Sequence, residues 1–385
     1  MCGGLLILSA GLPPDLREWS NDLSLYRAAG ESIMRGEIPY RDFFIEYPPG
    51  SLPAFIPPAL GSTSRAGFIA LFSSEMALAL AATLLLTALA ARRLLGSYGR
   101  ILPAVTFALA ALLLYPVAVT RYDAVVALTL GLAVFFAAPG GRFCVLAYAS
   151  LGLGAAAKLV PALATLPLAL TRRGVVGGYA VFLAVVALSI APFALLGGRG
   201  LLQSFAYQAG RGLQVESLAA SVLIFLRSVH GVVFNHGAFE LQDGGIGFAI
   251  SLSPLLTLVL LAVTGLVMYV EYRRFGRLGP GAFPRHAAAL ILAFMLGSKV
   301  LSPQYMIWLL PLVPLGAGGA VGTIVCALFL AACFTTTLVF PIHYGDLLSF
   351  RYPGPELLIA RNLLLVILWA ALLALPAVTR EKSSP

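Results

Sequence analysis

Charge is what this chain has least of. Only 11% of its 385 residues are Asp, Glu, Lys or Arg, where a soluble chain carries about 25%. That excludes the two or three soluble domains that the length alone would suggest at roughly 150 residues each. Cysteine is scarce too: Cys2, Cys144, Cys326 and Cys333 sit in or beside apolar runs. They show neither metal spacing nor a secreted-domain framework, and read as small core residues. His230, His236, His286 and His343 also lack ligand spacing, so no metal site is assigned, although acids elsewhere leave a divalent ion open. No Walker lysine motif, no GxGxxG between strand and helix and no stretch of soluble-domain size is present. No cofactor is predicted, and a sugar nucleotide or ATP is not the expected direct substrate. The formal charge of +9 comes from basic pairs between apolar runs, without a basic stripe or an aromatic-plus-arginine module, so no nucleic-acid partner is expected.

What is present is apolar length: 60% of residues are hydrophobic and the mean hydropathy is +0.94. A helix crosses about 30 Å of hydrocarbon with about 20 apolar residues and satisfies its own backbone hydrogen bonds. The candidate spans are 67–91, 101–119, 124–138, 143–157, 159–171, 174–197, 254–271, 286–301, 304–316, 318–341 and 357–378. Several are too short to cross upright. The pieces around Lys158 and Pro161 read as a hairpin or as one broken helix, and 286–316, interrupted at Ser302-Pro303, poses the same question. The apolar N-terminus MCGGLLILSAGLPP lacks the basic flank of a signal peptide and is taken as a first membrane helix whose start is missing or unusually short. The expectation is an all-α polytopic membrane protein forming one integral membrane domain over 1–385, with about 11 to 12 membrane segments and membrane lipids as its surroundings.

Loop charge orients it. Arg92, Arg93, Arg100, Arg142, Arg172, Arg173, Arg273, Arg274, Arg277, Arg285, Arg380 and Lys382 fall on one side, against Glu271 and Glu381. That side is read as cytoplasmic, and the Arg pairs as topology signals without chemistry. The two long loops, 15–65 and 198–253, are then extracytoplasmic.

Polar chemistry collects on that outer face. A long ordered loop is usually functional, and 15–65 is rich in acids, aromatics and prolines. Its stretch from Asp22 to Gly36 suits an amphipathic helix with Tyr26 one turn after Asp22; Asp22 alone reads equally as a helix-capping carboxylate. Downstream come Pro39-Tyr40-Arg41-Asp42 and Glu46-Tyr47-Pro48-Pro49-Gly50, which out of context are interface aromatics and a rigid lead into the next helix. Near the same boundary lie Arg121-Tyr122-Asp123, Lys158 and Lys299. Charges inside a bundle tend to mark a site or pathway, so the two lysines weigh most; the plain alternative is snorkelling or an ion pair with Asp123. Arg211-Gly-Leu-Gln214-Val-Glu216-Ser217 adds a cation and an acid in the second loop.

Taken in order, Asp22-Leu-Ser-Leu-Tyr26, Gly36-Glu-Ile-Pro39-Tyr40-Arg-Asp42, Glu46-Tyr-Pro-Pro-Gly50, Lys158-Leu-Val-Pro161, the RGLQVES run from Arg211 and Lys299-Val-Leu-Ser-Pro-Gln304-Tyr-Met-Ile-Trp308-Leu-Leu-Pro311 resemble the C-type glycosyltransferases that use polyprenyl-phosphate sugars. The likeness is to family 87, the bacterial α-mannosyltransferase type, over roughly 20 to 315. It implies a C-type helical bundle with a helical first extracytoplasmic loop in the bacterial cell membrane, a polyprenyl-phosphate sugar donor, a lipid or glycan acceptor, and a catalytic aspartate at Asp22. The chain departs from the pattern in carrying Gln304 and Tyr305 where some members have a histidine, and Leu23 after Asp22 where related branches have an acid.

The residues suit that chemistry. An inverting transfer needs a carboxylate to take the acceptor's proton and fixed cations to hold the leaving phosphate. Asp22 is the expected base, Arg121, Lys158, Arg211 and Lys299 the expected phosphate ligands, and Tyr26, Tyr40, Asp42, Glu46, Tyr47, Glu216, Gln304 and Tyr305 the expected substrate contacts. A transporter or flippase of a lipid-linked saccharide would use the same charges as a path, but transporters commonly carry internal repeats, and none is visible. A noncatalytic scaffold would leave Lys158 and Lys299 unexplained.

Overall fold

A computed structural model describes residues 22–95, 101–138, 144–171, 174–229, 231–242, 245–279, 281–316 and 318–375. The expected N-terminal helix, Cys2, His230, Arg100, Arg142, Arg172, Arg173, Arg380 and Lys382 lie outside the described residues. Helices dominate: α1 (Asp22–Met34), α2 (Arg65–Leu94), α3 (Ile101–Leu113), α4 (Asp123–Ala137), α5 (Cys144–Ala157), α6 (Thr165–Thr171), α7 (Val175–Gly197), α8 (Arg199–Gly210), α9 (Leu218–Phe225), α10 (Ile246–Phe275), α11 (Ala282–Gly297), α12 (Gly319–Thr337) and α13 (Gly354–Ala374). Among the described residues, the sheet is a hairpin in the second long loop, β1 (Gly231–Asn235) against β2 (Ala238–Gln242), antiparallel with Asn235 opposite Ala238. His236 and Gly237, both with positive φ, make its two-residue turn, the conformation a tight hairpin demands.

Among the described residues, α2, α7, α10, α13 and the stretch Gly319–Ile342 are long and apolar enough to cross a bilayer, with five shorter apolar helices among them. The chain is an all-α polytopic membrane protein. Its centre is α11, in which every residue but Phe294 is buried, as befits a helix that is apolar all round beyond Arg285 and His286 in its first turns. It packs against α10, α13 and the tight turn Val160–Ala164.

Both interrupted segments are hairpins. Gly154 lies against Pro161, so the chain reverses about Lys158. Gly316 lies against Arg285, so the short turns Pro303–Tyr305, Met306–Leu309 and Val313–Leu315 run back along α11 to its start. Pro303, Pro311 and Pro314 keep this return from forming one regular helix.

Glycines let the bundle close. In membranes, small residues allow backbones to approach, and a Cβ on Gly152 would stand 3.0 Å from Phe182 O while one on Gly178 would strike the Tyr148 ring; α5 and α7 thus pack side by side in parallel. Gly50 presses on the end of α5, where a Cβ would sit 2.5 Å from Ala156 C and Ala157 N. Gly50→Ala is therefore expected to destabilise by about 1–3 kcal/mol, read as a lowered melting temperature in detergent.

Helix ends sort into two groups. The starts of α2 and α4 and the ends of α5, α7 and α11 adjoin the loops that carry the polar motifs. At the other ends, Leu278 N donates to Leu170 O at 3.2 Å, and Arg285 and His286 both reach Glu271 while Arg285 donates to Leu375 O at 2.8 Å. Arg285 thus ties α10, α11 and α13 together instead of standing in solvent as a loop charge. Arg92, Arg93, Arg273 and Arg274 occupy the last turns of α2 and α10 at this same end.

Candidate functional site

The polar motifs meet in one cavity of about 270 Å³. An aromatic cluster assembles its first wall. Tyr26 stacks on Phe55 with centroids 4.5 Å apart, and Tyr47 meets Tyr26 and Tyr122 edge-on at 5.4 and 5.3 Å. Those contacts fasten α1 and the 46–55 loop to the start of α4. Asp22, one helical turn before Tyr26, is thereby brought to Arg121, whose Nε lies 2.9 Å from Asp22 Oδ2. Arg121 is 9% exposed.

A second wall is built on Asp123, which is 1% exposed. Its Oδ1 accepts from Lys158 Nζ at 2.7 Å and from Trp308 Nε1 at 2.6 Å. The Lys158 ammonium also lies 5.0 to 5.3 Å from the ring centroids of Tyr122, Tyr305 and Trp308, within cation–π range. Two distant segments, 122–123 and 305–308, thus hold one ammonium in place.

The third wall comes from the second long loop. Leu213 and Leu241 are joined by a backbone hydrogen bond, as are Val215 and Phe239, so the RGLQVES run lies along β2. Ser217 then caps α9, accepting from Ala220 N at 3.1 Å. Gln214 Nε2 donates to Glu216 Oε2 at 2.9 Å, and Ser302 Oγ donates to Gln214 Oε1 at 3.2 Å. Burial, opposed mainly by Arg361, pushes the Glu216 carboxyl up to about 7. Burial and the neighbouring Asp22 also raise Glu46. The hairpin turn reaches the cavity as well: His236 Nδ1 lies 3.1 Å from Glu240 Oε1, which accepts from Gly212 N at 2.8 Å.

Of the residues expected from sequence, Asp22, Tyr26, Glu46, Tyr47, Arg121, Lys158, Arg211, Glu216, Gln304 and Tyr305 line this cavity. Tyr40, Asp42 and Lys299 do not. Tyr40 is buried behind the wall, its hydroxyl donating to Tyr47 O at 2.6 Å. Asp42 accepts from Ile38 N at 2.8 Å and pairs with Arg41, closing its own turn. Lys299 Nζ donates to Ala209 O at 2.7 Å and its carbonyl accepts from Gln214 N, so it braces the segment from the end of α8 to Gln214. The sequence presents Asp123 only as an ion-pair partner and does not single out Gln214, His236 and Tyr344, all of which line the cavity. The signal for Gln214 was its place two residues before Glu216; nothing in spacing pointed to His236. Among the described residues, no three His, Cys, Asp or Glu side chains come together to hold a metal ion.

The cavity's cations are unequal. Arg121 and Lys158 each face a carboxylate. Arg211 has none within ion-pair distance among the described residues; its nearest polar contact is Gln208 Oε1 at 3.5 Å, and its Nε is buried without a hydrogen-bond partner. A membrane cavity with carboxylates, a cation outside ion-pair contact with any of them and apolar walls from Phe205, Phe234, Phe294 and Phe340 suits an amphiphilic anion. A family model described as glycosyltransferase family 87 matches residues 44–303. The chain belongs to glycosyltransferase family 87. It is a membrane glycosyltransferase, and the match takes in the Glu46, Arg121, Lys158, Arg211 and Glu216 walls. No curated protein matches the chain. Asp22, Gln304 to Trp308 and everything after them lie outside the matched residues.

Proposed function

We propose that this family 87 enzyme moves a hexose, mannose by family resemblance, from a polyprenyl-phosphate donor to a lipid or glycan acceptor, with inversion, at the extracytoplasmic face of a bacterial cell membrane. The observation that carries this reading is a cavity joining a fixed carboxylate, Asp22, to a cation, Arg211, that no carboxylate among the described residues contacts directly.

In that reaction the acceptor hydroxyl oxygen bonds to the anomeric carbon as the bond from that carbon to the phosphate oxygen breaks. The hydroxyl proton passes to Asp22 and the bonding electron pair leaves with the polyprenyl phosphate. Arg121 orients the Asp22 carboxylate from one oxygen. The phosphate needs no proton donor but does need cations already in place, and Arg211, backed by Lys158, supplies them. Leu159, 61% exposed and on the cavity wall, together with Phe205, offers the first isoprene units an apolar way out to lipid. The arginines at the helix ends remote from the cavity favour that end as cytoplasmic, which supports an outer-face site.

Arg211→Ala is the direct test of the phosphate role. A charge-assisted hydrogen bond is worth about 1.5–3 kcal/mol, so the donor KM is expected to rise roughly 10- to 150-fold with the acceptor KM little changed, and Arg211→Lys is expected to recover part of the loss. The assay is transfer from a polyprenyl-phosphate hexose by the purified chain in liposomes. An unchanged donor KM in a folded Arg211→Ala protein would move the phosphate away from this wall.

A further inference from the structure

Helix α13 lies beyond the residues that the family model matches, yet it contributes a buried charge next to the cavity. Arg361 is 1% exposed. Its Nη2 donates to Glu216 O at 2.8 Å, and Asn362 Nδ2 donates to Glu216 O at 3.4 Å and Ser217 O at 3.3 Å. The Nε and Nη1 of the same guanidinium are buried without hydrogen-bond partners. A buried, under-satisfied arginine inside a membrane bundle is costly. Helix anchoring alone does not account for it, since Asn362 already bonds the same turn.

What repays the cost is on the other side of that turn. Glu216 is 2% exposed and lines the cavity. Its Oε2 accepts from Gln214, while the buried Oε1 makes no hydrogen bond of normal geometry, the Tyr344 hydroxyl being the donor that faces the carboxyl. The groups facing this carboxyl are Arg361 from α13, Arg121 from the start of α4, Tyr344 from the short helix Tyr344–Leu348, and Gln214 from its own strand.

We infer that Arg361 is a positioning residue: it holds the turn that carries Glu216, with its guanidinium charge on the far side of that turn, so that the Glu216 carboxyl on the cavity wall accepts a hydroxyl of the bound sugar. Glu216 is then the catalytic-site acceptor and Arg361 acts through it. The inference rests on the glycosyl-transfer reading for its substrate, but the electrostatic part stands without it. The Glu216 carboxyl titrates near 7, with burial raising it and Arg361 the largest opposing influence. A nearby opposite charge lowers a carboxyl by about 1 to 3 pH units, so losing Arg361 moves the midpoint up by about one unit or more. In the wild type, transfer then falls as pH drops through about 7, because protonated Glu216 no longer accepts from the sugar as a carboxylate.

Two measurements on the full chain in liposomes test this. The first follows the protonated-carboxyl infrared band against pH in wild type, Glu216→Gln and Arg361→Gln, which needs no activity. The expected result is a band titrating near 7 that is absent in Glu216→Gln and has its midpoint displaced upward by about one pH unit or more in Arg361→Gln. The second is the pH profile of transfer, in which the acidic limb moves up by the same amount in Arg361→Gln and is abolished in Glu216→Gln. An unmoved midpoint in folded Arg361→Gln would overturn the inference whether or not transfer is found. A displaced band with no transfer by the wild type from any donor would leave the charge coupling intact and sink the transfer reading instead.

Discussion

Asp22→Asn is expected to lower transfer by about 10²- to 10⁴-fold, the usual contribution of a positioned general base, while leaving the donor KM close to wild type. The substitution keeps the shape of the side chain and its place at the head of α1, where Tyr26 still anchors the helix through Phe55 and Tyr47. It removes the charge that meets Arg121 and the lone pairs that take the acceptor's proton. Because the aromatic cluster carries the packing, the melting temperature in detergent is expected to fall only slightly. Transfer rates of purified wild type and mutant in liposomes decide it. Undiminished transfer would move the base to Glu46, the other carboxylate beside Asp22 on the cavity wall; Asp42 is committed to Arg41 and Ile38.

The second large effect is expected at Asp123. Its buried carboxylate accepts from both Lys158 and Trp308, at 2.7 and 2.6 Å. Removing one partner of a buried ion pair costs about 3–5 kcal/mol, whereas replacing both by apolar groups costs far less and is sometimes favourable. Asp123→Leu is therefore expected to unfold the protein at markedly lower temperature. Adding Lys158→Met is expected to restore most of that stability. Transfer in the double mutant stays low, because the ammonium that backs Arg211 at the phosphate is gone. Melting curves and transfer rates on the single and double mutants separate the two roles; recovery of transfer together with stability would show that Lys158 only balances Asp123.

The sequence made the membrane class, the succession of apolar segments and most of the cavity residues legible, since scarcity of charge and the position of each polar motif at one boundary are local facts. Four kinds of feature were not legible. The direction in which the chain leaves Lys158 or Ser302 depends on tertiary contacts, Gly154 on Pro161 and Gly316 on Arg285, which no periodicity reveals. Tyr40, Asp42 and Lys299 carry side chains as suitable for substrate as those of their neighbours, but each is consumed by a nearby backbone or charge. Arg361 sits in an apolar helix more than 140 positions from the glutamate it holds, and looked like part of a span. His236 reaches the cavity only because Gly237 completes a hairpin turn, a strand signal too short to stand out in a chain of helices.

Transfer from a lipid-linked phosphate sugar within this cavity is the reaction on which every role above depends. The measurement that tests it most directly supplies purified protein in liposomes with a panel of polyprenyl-phosphate sugars and, separately, the matching sugar nucleotides, and follows both glycosylated product and movement of the lipid across the bilayer. Product from a polyprenyl-phosphate hexose, none from its sugar nucleotide and no net lipid translocation is the predicted result. Translocation without product, or product from the sugar nucleotide alone, would contradict the account.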